Sequence, residues 1–364
     1  MIGAFPPPTT GRSLIGSAVR EKLLERKISV QSIDLTAPSL GRTWIARLGL
    51  SRITRIGGGL LRYWVAAQSH PGSTLYIGLS GGPGQAFDLL FTLIGRLTSA
   101  RIYFHHHSFA YLDRSNLLTR LLIRCAGRRA THIVLCAGMA SSLKATYPTI
   151  EQLLVISNAS LLPTAIPRPA RESRIPNRLG FLGNISVEKG ILEFLDVMQI
   201  LCARDTRIRG YLAGPFQDAK VEKEVEKRLN DLPRVEYVGP KYGRDKGAFF
   251  QSIDLLLFPT KYAHEAEPVT ILEALAHGVP VIGWERGCLP NMIAGEEGFL
   301  VPKSADFVAA AVRQILSWRS APETFGEASA AAVDRFIRIG ARDAETLAKL
   351  LFDLPATRAA HPND

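Results

Sequence analysis

The side chains best suited to chemistry are two glutamates, Glu265 and Glu273, with seven residues between them. Pro268 lies between the two and suits the first position of a helix, where its missing N–H costs nothing. The backbone N–H groups that follow would lie at the positive end of a helix dipole and could hold a phosphate. Each carboxylate can accept two hydrogen bonds and therefore suits the vicinal hydroxyls of a ribose or a hexose. The pair alone is equally typical of a solvated helix face.

Glycine-containing links between predicted strands and helices surround this pair. The motifs are Phe181-Leu-Gly183-Asn-Ile-Ser-Val-Glu-Lys189-Gly190, Leu212-Ala-Gly214-Pro215, Glu273-Ala-Leu-Ala-His-Gly278-Val-Pro280-Val-Ile282 and Gly298-Phe-Leu-Val-Pro302. Their succession resembles the retaining GT-B glycosyltransferases of the large family 4. The resemblance rests on specific motifs over residues 178–302 and is looser over the first 160 residues.

The resemblance implies a nucleotide-sugar donor site in the C-terminal half. Glu273 matches the glutamate that holds the ribose hydroxyls of the nucleotide, and Glu265 matches the one beside the transferred sugar. Lys189 matches the lysine that neutralises the donor diphosphate, so it would stabilise the leaving group as charge develops there. Gly183 matches the glycine that lets the chain approach that diphosphate. The remaining implied donor contacts are backbone N–H groups at Glu267, Val269 and Thr270.

Three positions depart from the family pattern. Many members carry arginine where this chain has Asn184, so one positive charge is missing beside the diphosphate. Pro268 replaces a glycine whose N–H is a donor, and Asn291 stands where glutamate is common. The first two departures leave the individual phosphate contacts open, but Lys189 and both glutamates are retained.

Short apolar runs alternate with amphipathic stretches along most of the chain, which predicts βαβ units and parallel sheets. A proline-rich break at residues 162–177 separates two such series. We therefore expect an α/β protein of GT-B type, with two Rossmann-like domains whose parallel sheets face a central cleft. The predicted domains are an acceptor-side domain at 1–165 and a donor-binding domain at 177–340. In the family, a tail such as the helix predicted at about 341–364 packs back on the first domain.

Two glycine-containing loops stand out in the N-terminal half. Gly11 follows the first predicted strand, where the family places a glycine near the donor phosphates; an ordinary Pro/Gly loop explains it as well. The loop Gly78–Gly84 is a weaker candidate for a phosphate or acceptor site, because it contains no GxGxxG pattern.

The tract His105-His106-His107 lies at the carboxyl end of a predicted strand, where sites form in such sheets. No cluster of further ligands completes a metal site there, so we expect no metal. On a strand, His105 and His107 point to one side and His106 to the other. Relatives place a histidine from this domain against the donor sugar or the acceptor, and His107 is the candidate because it is nearest the loop. Histidines that merely pack at a strand end are the alternative.

The net positive charge of the chain lies entirely in its first half. Residues 1–170 contain 19 lysines and arginines against six acidic residues, whereas the remainder has a net charge of −2. Within this half, residues 44–67 mix arginines with apolar side chains, and Gly57-Gly-Gly59 is expected to interrupt any long helix there. The segment could lie on an anionic membrane, or it could be a helix packed on the sheet with its arginines in water. Residues 1–13 have no signal-peptide pattern, and no apolar run is long enough to span a bilayer.

The resulting hypothesis is a metal-independent, retaining hexosyltransferase without a cofactor. Its donor would be a UDP- or GDP-linked sugar, and its acceptor a hydroxyl of a sugar or lipid-linked sugar in bacterial-type polysaccharide or glycolipid assembly. We expect it in the cytoplasm, where it would meet the inner face of the membrane peripherally. The alternatives are a nucleotide-sugar epimerase of GT-B fold and a non-catalytic nucleotide-sugar-binding partner of an assembly complex. Nucleic-acid binding lacks any recognised module or aromatic-rich basic face.

Overall fold

A computed structural model describes residues 1–7, 9–35, 50–162 and 175–353 of the chain. It divides into two compact units, of which the N-terminal unit comprises residues up to Leu162 and from Gly340 onward. The C-terminal unit contains the chain between them. Most of the predicted proline-rich linker lies outside the described residues, and so does the beginning of the basic segment at 44–67.

The N-terminal unit is built on a six-stranded sheet whose strands are all parallel, in the order β2-β1-β3-β4-β5-β6. The strands are β1 (Ile2–Gly3), β2 (Ile33–Asp34), β3 (Thr74–Gly78), β4 (Arg101–His105), β5 (Thr131–Val134) and β6 (Gln152–Val155). Strand order reverses between β1 and β3. At such a point the two following loops leave towards opposite faces of the sheet, and a crevice opens at the carboxyl ends of the strands.

Six α-helices lie in the part of the chain up to Leu162 that the structure describes. They are α1 (Gly11–Glu25), α2 (Leu50–Ser69), α3 (Gln85–Leu97), α4 (Ala110–Asp113), α5 (Leu117–Ala126) and α6 (Ala137–Thr146). Helix α1 begins at Gly11, directly after its N-cap Thr10. The reason is a capping box: the Thr10 side chain accepts from the Ser13 N–H, and the Ser13 hydroxyl accepts from the Thr10 N–H. Gly11 is therefore the first residue of the helix rather than part of a loop.

Helix α2 runs without interruption through its three glycines, so the predicted break at Gly57–Gly59 is wrong. Each glycine weakens a helix by about 1 kcal/mol relative to alanine. Burial of Ile56, Tyr63 and Ala67 on one face of α2 opposes that cost. Gly59 also lies on the packed face, where an added Cβ would be 2.9 Å from the Ile33 side chain.

The C-terminal unit repeats the architecture with a different strand order, β12-β11-β10-β7-β8-β9, and all pairs are again parallel. The strands are β7 (Arg178–Leu182), β8 (Arg209–Ala213), β9 (Val235–Tyr237), β10 (Leu255–Phe258), β11 (Val281–Trp284) and β12 (Gly298–Val301). This is the order of dinucleotide-binding sheets, with its switch point between β7 and β10. The two sheets confirm the predicted α/β class.

Seven further helices lie between residues 175 and 353 of the described chain. They are α7 (Ile191–Arg204), α8 (Ala219–Asn230), α9 (Arg244–Ser252), α10 (Val269–Ala276), α11 (Leu289–Met292), α12 (Phe307–Ser320) and α13 (Pro322–Asp353). The predicted tail helix is the end of α13, which has 32 residues. Buried residues recur at helical spacing from Phe325 to Leu351, so no break in the pattern ends the helix earlier. Beyond Gly340 it packs within the N-terminal unit, where Asp343 accepts a hydrogen bond of 2.8 Å from the Ser157 N–H.

Candidate functional site

Two loops meet at the switch point of the C-terminal sheet. Strands β7 and β10 are neighbours, so the loop 183–190 and the loop 259–268 both leave from this edge. Gly190 has a left-handed φ of 85° and precedes α7. A Cβ there would overlap the carbonyl oxygen of Pro259. Only glycine lets the two loops pack this closely.

Lys189 and Glu265, one from each loop, form an ion pair across the switch point. The side chains are 23% and 13% exposed, respectively, so water screens the pair only partly. The lysine Nζ lies 4.7 Å from the centre of the Tyr262 ring, and the Thr260 hydroxyl donates to Glu265 over 3.5 Å. Burial and the nearby carboxylates of Glu265 and Glu188 raise the pKa of Tyr262. The two predicted catalytic residues of this half are thus brought together.

Contacts from the opposite side fix the Glu265 loop. The Cys288 N–H donates to the Ala266 carbonyl over 2.9 Å. Gly287, with a φ of 55°, lies so close that an added Cβ would be 3.0 Å from the carbonyl oxygens of both Glu265 and Ala266. The loop is therefore held by backbone contacts before any ligand arrives, which preorganises the Glu265 carboxylate.

Helix α10 begins directly after this loop. Pro268 is the N-cap rather than the predicted first helical residue, because its ψ of 120° is extended. Val269 and Thr270 occupy the first two helical positions, where N–H groups have no acceptor within the helix. Glu267, which precedes Pro268, is buried with 6% exposure. These N–H groups at a helix start form the kind of site that binds phosphate.

The sequence analysis missed a lysine that faces the second glutamate. Lys246 of α9 forms an ion pair with Glu273, with side-chain exposures of 16% and 24%, respectively. Helix α9 packs on α10, where the Phe250 and His277 rings stack with centres 5.4 Å apart. Lys246 precedes Glu273 by 27 residues, so no local motif joins them. Only the packing of α9 on α10 reveals the pair.

Gly183, predicted to let the chain approach the diphosphate, has open space where a side chain would be. Its N–H donates to the Ala213 carbonyl over 3.1 Å, which fixes the loop beside β8. Gly214 lies so close that a Cβ there would overlap the Gly183 carbonyl oxygen. A Cβ at Gly183 itself would meet nothing within 4 Å. The next residue, Asn184, is exposed. The loop therefore leaves open space at the position predicted to approach the phosphates.

The switch point of the N-terminal sheet contains an arginine that the sequence analysis also missed. Arg12 lies in the first turn of α1, next to the predicted Gly11, and its guanidinium donates to the Gly78 carbonyl at the end of β3. The contact joins the start of α1, beside Gly11, to the end of β3 at Gly78. Its signal in the sequence was only a basic residue beside the helix start, which is too common to single out.

The three histidines follow the predicted alternation. His105 and His107 rings lie on one side, with centres 4.0 Å apart, whereas His106 faces His132 and Tyr111. The Tyr76 hydroxyl is 2.5 Å from His105 Nδ1. His105 and His106 are buried, and only His107 is partly exposed.

Burial keeps this histidine cluster neutral. Desolvation and the nearby Arg12 charge lower the pKa of His105 to about 3. Desolvation and neighbouring histidines also hold the pKa of His106 and of His107 well below the usual value. Desolvation lowers the pKa of His132 to about 4. At neutral pH these imidazoles therefore carry no charge, and each has one nitrogen that can donate a hydrogen bond and one that can accept.

The described residues contain neither a group of side chains that could hold a metal ion nor a helix that could span a membrane. Across the described ranges, no three His, Cys, Asp or Glu side chains are grouped so that they could hold a metal ion. Within the same ranges, no helix combines the length and apolar character that crossing a bilayer requires.

Comparisons with solved structures bear on the fold. Two of the solved structures that share the fold serve for comparison. One is HepE from Anabaena in complex with UDP-glucose (TM-score 0.60, 18% identity, 80% of this chain and 82% of that one). The other is sucrose-phosphate synthase from Thermosynechococcus elongatus (TM-score 0.67, 15% identity, 97% and 95%). The fold is therefore GT-B.

A family model matches most of the C-terminal unit. Residues 176–317 match the family model described as glycosyl transferases group 1. The D-rhamnosyltransferase WbpZ of Pseudomonas aeruginosa is 30% identical over 42% of this chain and 40% of its own length. The capsular polysaccharide biosynthesis glycosyltransferase CapM of Staphylococcus aureus is 27% identical over 41% and 39%. The match thus spans about two fifths of these relatives. Residues 176–317 are thus similar to the group 1 glycosyltransferases.

Proposed function

We propose that this protein transfers a hexose-type sugar from a nucleotide-diphospho-sugar to an acceptor hydroxyl, with retention of configuration. The observation that carries the proposal is the Lys189–Glu265 ion pair at the switch point, directly before the start of α10. It combines a cation, a helix N-terminus and a carboxylate at the edge where ligands bind in such sheets. The name of the relative WbpZ, a D-rhamnosyltransferase, supports sugar transfer, and that of CapM supports a role in polysaccharide biosynthesis.

The proposed donor site separates binding of the diphosphate from binding of the sugar. Lys189 and the N–H groups of Val269 and Thr270 would hold the diphosphate and stabilise its growing charge as the glycosidic bond breaks. Released from Lys189, the Glu265 carboxylate would lie beside the sugar. Glu273 would accept hydrogen bonds from the ribose hydroxyls, and Lys246 would orient it. Because these groups supply the positive charge, the reaction is proposed to need no metal ion.

The N-terminal unit would supply the acceptor side. His107 is partly exposed at the carboxyl end of β4, and the Arg12 guanidinium lies close enough to help lower its pKa. A neutral imidazole can accept a hydrogen bond from an acceptor hydroxyl or donate one to a sugar hydroxyl. The leaving phosphate would take the acceptor proton, so His107 would orient rather than ionise. Cytoplasmic sugars or lipid-linked sugars at the inner membrane face are the proposed acceptors.

The test is donor turnover by the purified protein with UDP- and GDP-sugars, with and without a lipid extract as acceptor. We expect release of nucleotide diphosphate and a glycosylated product from one donor, undiminished by a metal chelator. Glu273→Gln should abolish that release, and Glu224→Gln on the exposed surface of α8 is the matched control.

Each alternative gives a different product. An isomerised free sugar without any glycosylated acceptor would identify an epimerase and contradict the proposal. Tight nucleotide-sugar binding without release, with every acceptor fraction tried, would identify a binding partner instead. Full activity of Glu273→Gln would remove the proposed donor site.

A further inference from the structure

Helices α2, α3 and α5 form one outer layer of the N-terminal unit, and their outward side chains are here called the three-helix face. Helix α3 packs between the other two. The Tyr63 and Phe91 rings join α2 to α3 with centres 6.1 Å apart. Between α3 and α5, the Thr119 hydroxyl donates to the Gln85 side chain over 2.7 Å. The layer is therefore a single packed surface rather than three separate helices.

The three-helix face is unusually apolar. Fourteen large apolar side chains are exposed in the described part of the chain, and eight of them lie on these three helices. Representative members are Leu61 and Trp64 on α2, Leu93 and Leu97 on α3, and Leu117 and Leu121 on α5. Their exposures run from 40% at Trp64 to 74% at Leu97. Such a concentration on one face marks an interaction site, whereas single exposed leucines need no explanation.

The charges on this face have one sign. Exposed arginines accompany the apolar residues on all three helices. They are Arg55, Arg62, Arg96, Arg120 and Arg124. The only acidic residue in the three helices is Asp88, which is fully buried and accepts a hydrogen bond of 2.8 Å from the Ser80 N–H. No negative charge of these helices therefore faces outward to offset the arginines.

We propose that the three-helix face docks on an anionic lipid bilayer. Apolar side chains would enter the boundary between headgroups and acyl chains, while the arginines reach lipid phosphates through their long stems. A bilayer with acidic lipids offers both a negative surface and an apolar interior. Gly57 and Gly58 of α2 are exposed, and an added Cβ would meet nothing within 4 Å at either. The α2 backbone can therefore approach the lipid surface closely.

This inference rests on the N-terminal unit alone and does not depend on the proposed transfer reaction. The three-helix face accounts for part of the positive charge of the first half of the chain. Orientation follows from it: the membrane would contact α2, α3 and α5 and not α1, which lies elsewhere on the unit and carries the exposed Leu24.

The test is sedimentation of the full chain with vesicles of phosphatidylcholine, with and without about a third phosphatidylglycerol. We expect binding to the anionic vesicles, reduced in high salt because surface charges are screened. Leu93→Glu should lower the apparent affinity by about tenfold or more, since it removes apolar burial and adds a repelled charge. Leu24→Glu is the matched control, because Leu24 is 47% exposed and Leu93 43%.

Two further variants separate docking from misfolding. The double substitution Arg62→Gln with Arg124→Gln should weaken binding by about 25-fold, or about fivefold per arginine, without changing apolar area. In the unaltered chain, lipids brominated on the acyl chain should quench Trp64 fluorescence. Trp64→Phe should remove that quenching while keeping vesicle binding within about twofold, because an aromatic ring remains buried.

Three results would overturn the proposal. Equal binding to neutral and anionic vesicles would show that the arginines have no part in it. Equal losses in Leu24→Glu and Leu93→Glu would show that the face is not specific. A dimer in solution that Leu93→Glu dissociates would assign the three-helix face to a second copy of the chain.

Discussion

The two units are built on six-stranded parallel sheets, yet they place their candidate residues differently. In the C-terminal unit, Lys189 and Glu265 come from the two loops at one switch point and are in contact. In the N-terminal unit, His107 follows β4, two strands away from β1, and Arg12 follows β1. One unit concentrates its candidate groups in neighbouring loops, and the other spreads them along a sheet edge. The same architecture thus accommodates a compact set of charged candidate groups in one unit and a more dispersed set of neutral histidines with one arginine in the other.

The outer surfaces differ in the same way. Helix α8 of the C-terminal unit alternates acidic and basic residues and exposes little apolar area, as is usual for a solvated helix. Helix α3 of the N-terminal unit exposes leucines and buries its only acid. The difference is consistent with the two proposals, in which the N-terminal unit docks on a lipid surface and the C-terminal unit binds a small ligand. The predictions below test whether these assignments belong to separate units.

The largest effect is expected at the charged site. Lys189→Ala should lower kcat by about 100- to 1,000-fold, because a preorganised charge facing the leaving group is lost. Steady-state donor turnover measures the effect, and Lys223→Ala on the exposed side of α8 is the control. A loss confined to KM would mean that Lys189 binds donor and transition state equally, which would contradict its leaving-group role.

Loop packing at the same switch point should be the next most sensitive feature. Gly190→Ala should reduce the free energy of unfolding by about 3 kcal/mol, from left-handed strain plus overlap with Pro259. Gly239 has a φ of 73° with nothing within 4 Å of an added Cβ, so Gly239→Ala isolates the strain and should cost only about 1 kcal/mol. Urea unfolding distinguishes them. Equal costs would mean that contact between the two loops is not what requires glycine.

Because the pKa values of the buried histidines are lowered, we expect the free energy of unfolding of the N-terminal unit to fall in acid. His105 has its pKa lowered to about 3, so below pH 6.5 the unfolded chain binds a proton that the folded unit does not. The contribution of His105 to stability is therefore fully present above that pH and falls as the pH drops towards 3, by about 2 kcal/mol between pH 7 and 5. His106, His107 and His132, whose pKa values are also lowered, add to the loss in the same direction. Urea unfolding at both pH values should show this loss, and His105→Gln should reduce it.

The control for the acid effect lies in the other unit. His264 is only partly buried, so His264→Gln should keep the pH dependence of the unaltered chain. A pH dependence that persists in His105→Gln and disappears in His264→Gln would reverse the comparison between the units.

The sequence predicted short-range features well and long-range contacts poorly. The alternation of strands and helices follows from local apolar runs, and the predicted βαβ units with parallel sheets match the structure. Lys189 and Glu265 were both named, because each lies in a motif at a strand end. Lys246 was missed because its contact with Glu273 depends on how α9 packs on α10.

The errors have the same origin. Three glycines in α2 predicted a break, but tertiary packing outweighs helix propensity there. The histidine tract gave the alternation of side chains, and only the fold shows that His105 and His106 are buried. Local pattern therefore locates strand ends and their loops, whereas burial and helix-to-helix pairs need the packed molecule.

A smaller effect should separate a positioning residue from a catalytic one. Lys246→Met should raise the donor KM by about tenfold and leave kcat within about twofold, because it orients Glu273 at the ribose, far from bond cleavage. Lys246→Arg should restore much of the affinity, since the charge remains beside Glu273. A large fall in kcat with Lys246→Met would move this lysine into the diphosphate site.

The smallest predicted effect has the opposite sign and lies on the other unit. Gly57→Ala in α2 should raise the free energy of unfolding by about 1 kcal/mol, because alanine is the better helix former. The site is exposed with open space around it, so the new methyl group causes no overlap. Gly59→Ala on the packed side should fail to stabilise, since its Cβ would meet the Ile33 side chain at 2.9 Å. If Gly57→Ala also weakens vesicle binding severalfold while stabilising the fold, then a bare α2 backbone serves membrane contact at the expense of helix stability.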